Sequence, residues 1–150
     1  MIVTARKLAN ASLKMPRQAD LRRAISTAYY ALFHAMAEDA ADMLVGVGPN
    51  RPDKAWAHTY RALQHGDAKT ACQAVRNLNF PNTIRSCADA FVALQQRRHD
   101  ADYDPDYRAL RADALDAIQQ AEDAIRDLKA VPKRDRRAFA VPILMKKRKS

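Results

Sequence analysis

From Gln18 to Val45 the chain runs without a glycine or a proline, and its apolar residues recur at three- and four-residue spacing. Leu21, Ile25, Ala28, Leu32, Met36, Met43 and Leu44 fall on one helical face, the pattern of an amphipathic α-helix. Tyr30, Phe33 and Ala37 add a second face. A helix apolar on two sides is central in a bundle or shared between a core and a dimer interface. The composition agrees with a helical chain. Apolar residues make up 48% of it, mostly alanine and leucine, and only Gly46, Gly48 and Gly66 supply glycine. Ala, Leu, Arg, Gln and Met lose little on entering a helix. No alternating strand pattern is present. The expected fold is all-α, a bundle of long, roughly antiparallel helices with short inserted helices and a basic C-terminal tail.

Breakers divide the remainder. Ile2 to Lys14 reads as a short helix stopped before Pro16. Gly46 to Pro52 holds two glycines and two prolines and is a clear break. Asp53 can cap a helix to about His65, and Asp67 another through Val75. Asn77 to Pro81 is a turn. Asn82 to Gln96 is helical, with Ile84, Cys87, Ala88, Phe91 and Leu94 on one face. The run from Arg97 to Pro105 closes it. Asp106 opens the last periodic segment, to about Lys129, whose stripe is Tyr107, Leu110, Ala114, Ile118, Ala121, Ile125 and Leu128. After Pro132 the pattern is lost. At 150 residues this predicts one bundle domain over 1–130 and a tail over 131–150.

The charge sits at one end. The formal net charge is +9, and residues 130–150 hold eight Lys or Arg against one Asp, leaving only +2 for the body. Such a field attracts polyanions, nucleic acid first and anionic membrane surfaces second. The tail's Lys133, Arg134, Arg136, Arg137, Lys146, Lys147, Arg148 and Lys149 are candidate RNA contacts, gaining affinity by counterion release. Its apolar stretch is short and broken by Pro142, which argues against a surface membrane anchor. Two cysteines, Cys72 and Cys87, make no disulfide framework or zinc pattern, and Met1 to Lys14 is too polar for a signal peptide. No apolar run of about 18 residues exists. A cytoplasmic protein without cofactor, metal or membrane partner is expected.

Two segments could carry chemistry. Arg97, Arg98, His99, Asp102 and Tyr103 gather at a helix end, with Asp100 and Asp104 among them. Arginine donates paired hydrogen bonds to phosphate, and histidine titrates near neutrality. Phosphodiester cleavage without a metal needs such a pair: a proton acceptor for the 2′-hydroxyl and a cation for the phosphorane. The bland alternative is a charged helix end fixed by Arg–Asp pairs. In the second segment, Tyr30 and His34 stand four apart and so share a face. They could line a cleft, or be core side chains with satisfied hydrogen bonds. The aspartates 100, 102, 104 and 106 lack the glycine and distal glutamate of a calcium loop. No glycine-rich phosphate loop occurs.

Taken together, the two segments resemble the HEPN family of nucleotide- and RNA-associated domains. Members carry a helix reading Ala-Tyr-Tyr-Ala-x-Phe-His, here Ala28 to His34. A later helix ends in Arg followed by Ala-Asp-Tyr-Asp, here Arg97 or Arg98 followed by Ala101 to Asp104. Trp56 to Tyr60, with His58, lies where members place another histidine-containing helix start. The resemblance covers about residues 18 to 128. It implies a helical bundle, a homodimer with polar motifs facing a shared cleft, and two alternative roles. One is a metal-independent ribonuclease of a toxin–antitoxin or antiphage system, with an antitoxin as partner. The other is a noncatalytic module for nucleotide, RNA or protein. In catalytic members the arginine is followed by four to six residues and then a histidine, which in this chain would fall at Asp102 to Pro105. Here Tyr103 stands in that window, and His99 or His34 would have to take the proton.

Overall fold

The glycine-free segment forms the central helix. The computed structural model describes residues 1–11 and 15–149, and every regular element among them is helical. In chain order these are α1 (Ile2–Ala9), α2 (Gln18–Val45), α3 (Asp53–Ala62), α4 (His65–Ala74), a 3-10 turn (Val75–Asn77), α5 (Asn82–Tyr103), α6 (Arg111–Ala130) and α7 (Lys133–Leu144). At 1.5 Å per residue α2 is about 42 Å long, enough to serve every neighbour along its length. It packs against α1, α3, α5, α6 and α7, and α5 and α6 close on it and on each other. Its two apolar faces are thereby used within one chain. Leu21, Ile25, Leu32 and Met36 of α2 meet Ile84, Phe91 and Leu94 of α5 and Ile118 and Leu128 of α6, all essentially without solvent contact.

The stripes read from spacing in α2 and α5 are buried almost throughout. The boundaries shift where polar side chains decide them. The first helix ends at Ala9, and Lys14 lies outside the described residues. α5 runs through the charged stretch to Tyr103, seven residues past Gln96, with Ala101 buried under its last turn. α6 starts at Arg111, not Asp106, because the intervening residues are held in a loop. The Asp106 amide donates to Asp104 Oδ1 at 2.9 Å, and the Leu110 amide donates to Asp113 Oδ2 at 2.8 Å. Gln18 at the start of α2 bonds the Ala109 backbone twice, at 2.7 and 2.9 Å. Arg22 donates to the carbonyls of Ala101, Asp104 and Tyr107. The first turns of α2 thus clamp the end of α5.

The segment after Pro132 departs most from expectation. Residues 133–144 form a docked helix, and the extended part of the tail begins only at Met145. Phe139, Ala140 and Ile143 are buried, and Phe139 meets Phe80 edge-on at 6.1 Å. Arg136 donates through Nε at 2.7 Å and through Nη2 to Asp39, the one buried acidic residue among those described. Burial raises the Asp39 pKa, and the hydrogen bond and charge of Arg136 oppose that rise. Pro142 sits in the final turn, where its missing N–H leaves the carbonyl of the exposed Ala138 to solvent. Among the described residues no helix is long and apolar enough to cross a membrane.

Candidate functional site

The last turns of α5 bring Arg98 against the N-terminal half of α2. Its Nη2 donates to the Tyr30 hydroxyl at 3.0 Å and to the Tyr103 hydroxyl at 3.3 Å. Its Nε donates to Asp102 Oδ2 at 3.0 Å, and the Ser26 hydroxyl donates to the same oxygen at 3.2 Å. Three rings surround the guanidinium, with Tyr29, Tyr30 and Tyr103 centroids 5.7, 5.4 and 5.4 Å from Cζ. Burial works against its charge, but Tyr30, Tyr103 and Asp102 outweigh this and raise its pKa. The side chain is 17% exposed, so a fixed cation stands at the surface and can reach an anion.

Two imidazoles flank that cation, each tied to a tyrosine. His34 Nδ1 lies 2.8 Å from the Tyr60 hydroxyl, and the two rings stack. His65 Nδ1 lies 2.6 Å from the hydroxyl of the fully buried Tyr29, and its ring stacks on Phe33 at 4.0 Å. Burial lowers the His65 pKa, and the nearby charges of Arg98 and His34 lower it further. His65 therefore stays neutral at pH 7. Burial pushes the Tyr29 phenol far above its ordinary range, so this hydroxyl keeps its proton and shares one hydrogen bond with Nδ1.

The sequence candidates divide. Arg98, Asp102, Tyr103, Tyr30 and His34 come together. Arg97, one residue round the helix, points elsewhere: it donates to the Asp113 carbonyl at 3.2 Å and pairs with Asp116 at 2.7 Å. His99 is exposed beside Tyr103, with ring centroids 5.1 Å apart. It shares with Arg98, Lys69, Gln95 and Gln96 a shallow groove of about 230 Å3. Of the C-terminal cations, Arg136 is spent on Asp39 and Arg137 donates to the Met43 carbonyl. Lys133 and Arg134 are exposed on α7, and Lys146 pairs with Asp67 at 3.1 Å. Lys147, Arg148 and Lys149 are exposed beyond the helix.

His65 and Tyr29 are the residues that sequence reasoning missed. The adjacent Tyr29-Tyr30 pair was the available signal. Neighbours on a helix point about 100° apart, so one ring enters the core while the other reaches Arg98. Among the described residues no three His, Cys, Asp or Glu side chains converge as metal ligands. Cys72 and Cys87 are wholly buried, which pushes both thiols up, that of Cys87 to about 12. Neither is a nucleophile at neutral pH. The arrangement can hold a phosphate against Arg98 and offers a neutral imidazole beside it. No family model matches the chain, and neither the curated proteins nor the solved structures contain a significant match.

Proposed function

We propose that this chain is a HEPN-type protein that binds RNA and cleaves it without a metal at the Arg98 cluster, as a toxin or defence effector. The observation that carries the reading is the Arg98 guanidinium, held by Tyr30, Tyr103 and Asp102 with His65 and His34 alongside. In the proposed reaction an imidazole takes the proton of a ribose 2′-hydroxyl. The 2′-oxygen forms a bond to phosphorus, the bond to the 5′-oxygen breaks, and that oxygen leaves with the proton that the imidazolium returns. Arg98 stabilises the charge on the phosphorane. His65 is the best acceptor because it is neutral beside a cation, and with its Nδ1–H donating to the Tyr29 oxygen its Nε2 is free to take the proton, a role the sequence alone assigned to His99 or His34. A homodimer and an antitoxin partner belong to this proposal.

The second reading is a binding module without chemistry. Both flanking imidazoles already engage tyrosines, and Tyr103 stands where catalytic relatives place histidine. The test is cleavage of labelled single-stranded RNA in EDTA, with binding followed by fluorescence anisotropy. Wild-type cleavage that survives EDTA, falls at least about 100-fold in Arg98→Gln and persists in Arg97→Gln supports the ribonuclease. Tight binding with no cleavage supports the module. No binding and no cleavage on any RNA overturns both.

A further inference from the structure

Helix α3 is unlike the other helices of similar length. None of its residues is buried, and its principal neighbour is α2. Its inner face makes the attachment. Trp56 donates to Asp42 Oδ1 at 2.8 Å and stacks on Tyr60, and Tyr60 stacks on His34. His34 in turn stacks on Tyr30, which holds Arg98. Rings therefore run in line from α3 to the Arg98 cluster. The outer face is free of any packing duty. There Lys54, His58 and Arg61 recur at helical spacing around Ala57 and Ala62, along a shallow depression of about 380 Å3. All three are exposed. The only acid on α3, Asp53, is paired with Arg51 at 3.1 Å. No ion pair among the described residues involves Lys54 or Arg61.

We infer that this outer face of α3 is a phosphate-binding strip that carries the backbone of a single RNA strand toward Arg98. The inference rests on the RNA reading above and adds the path of the strand. Charge complementarity selects the partner. Two exposed cations, Lys54 and Arg61, with the exposed His58 between them and the helix's one acid already paired with Arg51, fit a chain of phosphates, whose binding releases counterions. The sites along α2 place the strip. Arg98 meets α2 at Tyr30, α3 meets it at His34 and Asp42, and α7 meets it at Asp39. Tyr30 and Asp39 leave opposite sides of α2, and His34 and Asp42 face between them at about 100° per residue, so α3 stands between the Arg98 cluster and the basic helix α7 around α2. The helix α6 is a less favourable flank for a polyanion, because it carries five acidic residues against three basic ones.

The experiment measures the affinity of the full chain for a labelled single-stranded RNA at several salt concentrations. It compares wild type, Lys54→Gln/Arg61→Gln and a charge-matched control, Lys7→Gln/Lys129→Gln, whose lysines are exposed on α1 and α6. Losing two phosphate contacts should make the log–log salt slope shallower by about 1.4 in the α3 variant. The control should keep a slope closer to wild type. Equal slopes in both double variants would overturn the strip while leaving the Arg98 reading intact. Failure of wild type to bind any RNA, including a case where it binds vesicles of anionic phospholipid instead, would overturn both. Circular dichroism verifies that each variant is folded, as expected for exposed positions.

Discussion

At the scale of single residues, the chemistry turns on which side of α5 a side chain leaves. Arg97 and Arg98 are indistinguishable by type, and the resemblance to HEPN proteins allows either. The fold separates them by about 100° of helix, sending Arg97 to Asp116 on α6 and Arg98 to Tyr30. Arg97→Gln should therefore cost only about 0.5 kcal/mol or less, since the pair is half in solvent and screened. It should leave RNA cleavage or binding as it was, whereas Arg98→Gln removes it in a protein that still unfolds cooperatively in urea. His65 was not legible from spacing, because it stands at the junction where one short helix could end or the next begin. Its consequence is measurable. A histidine whose folded pKa lies below the ordinary 6.5 favours the folded state fully above pH 6.5, and that contribution is lost as pH falls below it. The urea midpoint should drop between pH 7.5 and 5.5 in wild type and drop less in His65→Gln. Equal slopes in the two proteins would remove the idea that His65 is held neutral.

At the scale of elements, apolar periodicity located α2 and α5 because nothing interrupts it, and α2 begins and ends where spacing put it. α7 was missed because its apolar side is only Phe139, Ala140 and Ile143, flanked by charges and interrupted by Pro142. What secures it cannot be read from its own residues. Its partner, Asp39, lies nearly a hundred positions earlier. Removing one member of a pair this buried leaves the other uncompensated, at a cost on the order of 3 kcal/mol, and truncating a buried phenylalanine costs about as much. Arg136→Ala and Phe139→Ala should each lower the urea midpoint strongly and open the chain to proteolysis after Pro132. Deleting residues 146–150 should change stability very little, because Lys146 to Lys149 are exposed. It should nevertheless flatten the salt dependence of RNA binding. A stable Phe139→Ala protein would mean that α7 rests on the surface and contributes nothing to the core.

At the scale of the whole molecule, a dimer does not follow from the central helix. The two-faced character of α2 is absorbed within one chain by five neighbouring helices, so it no longer calls for a partner. One group of exposed apolar side chains lies just beyond the Arg98 cluster. Tyr103 and Leu110 are each 61% exposed, and Leu115 follows at the start of α6. The loop between them is rigidly clamped by Gln18 and Arg22, so the surface is preformed and would lose little entropy on association. A second copy seated there by a two-fold axis would bury the same side chains on both sides. It would also bring a second Tyr103 and a second Arg98 toward the first. We predict a homodimer at micromolar concentration, with a sedimentation mass near twice 16.8 kDa. Leu110→Asp/Leu115→Asp should return it to a monomer with unchanged helicity, because neither side chain is part of the buried core. A wild-type monomer would leave each Arg98 cluster to act alone. A dimer that survives the double substitution would mean that association uses another face. If cleavage needs both copies, the monomeric variant should lose activity steeply on dilution while the wild type keeps it, and equal rates per chain would show each cluster to be self-sufficient.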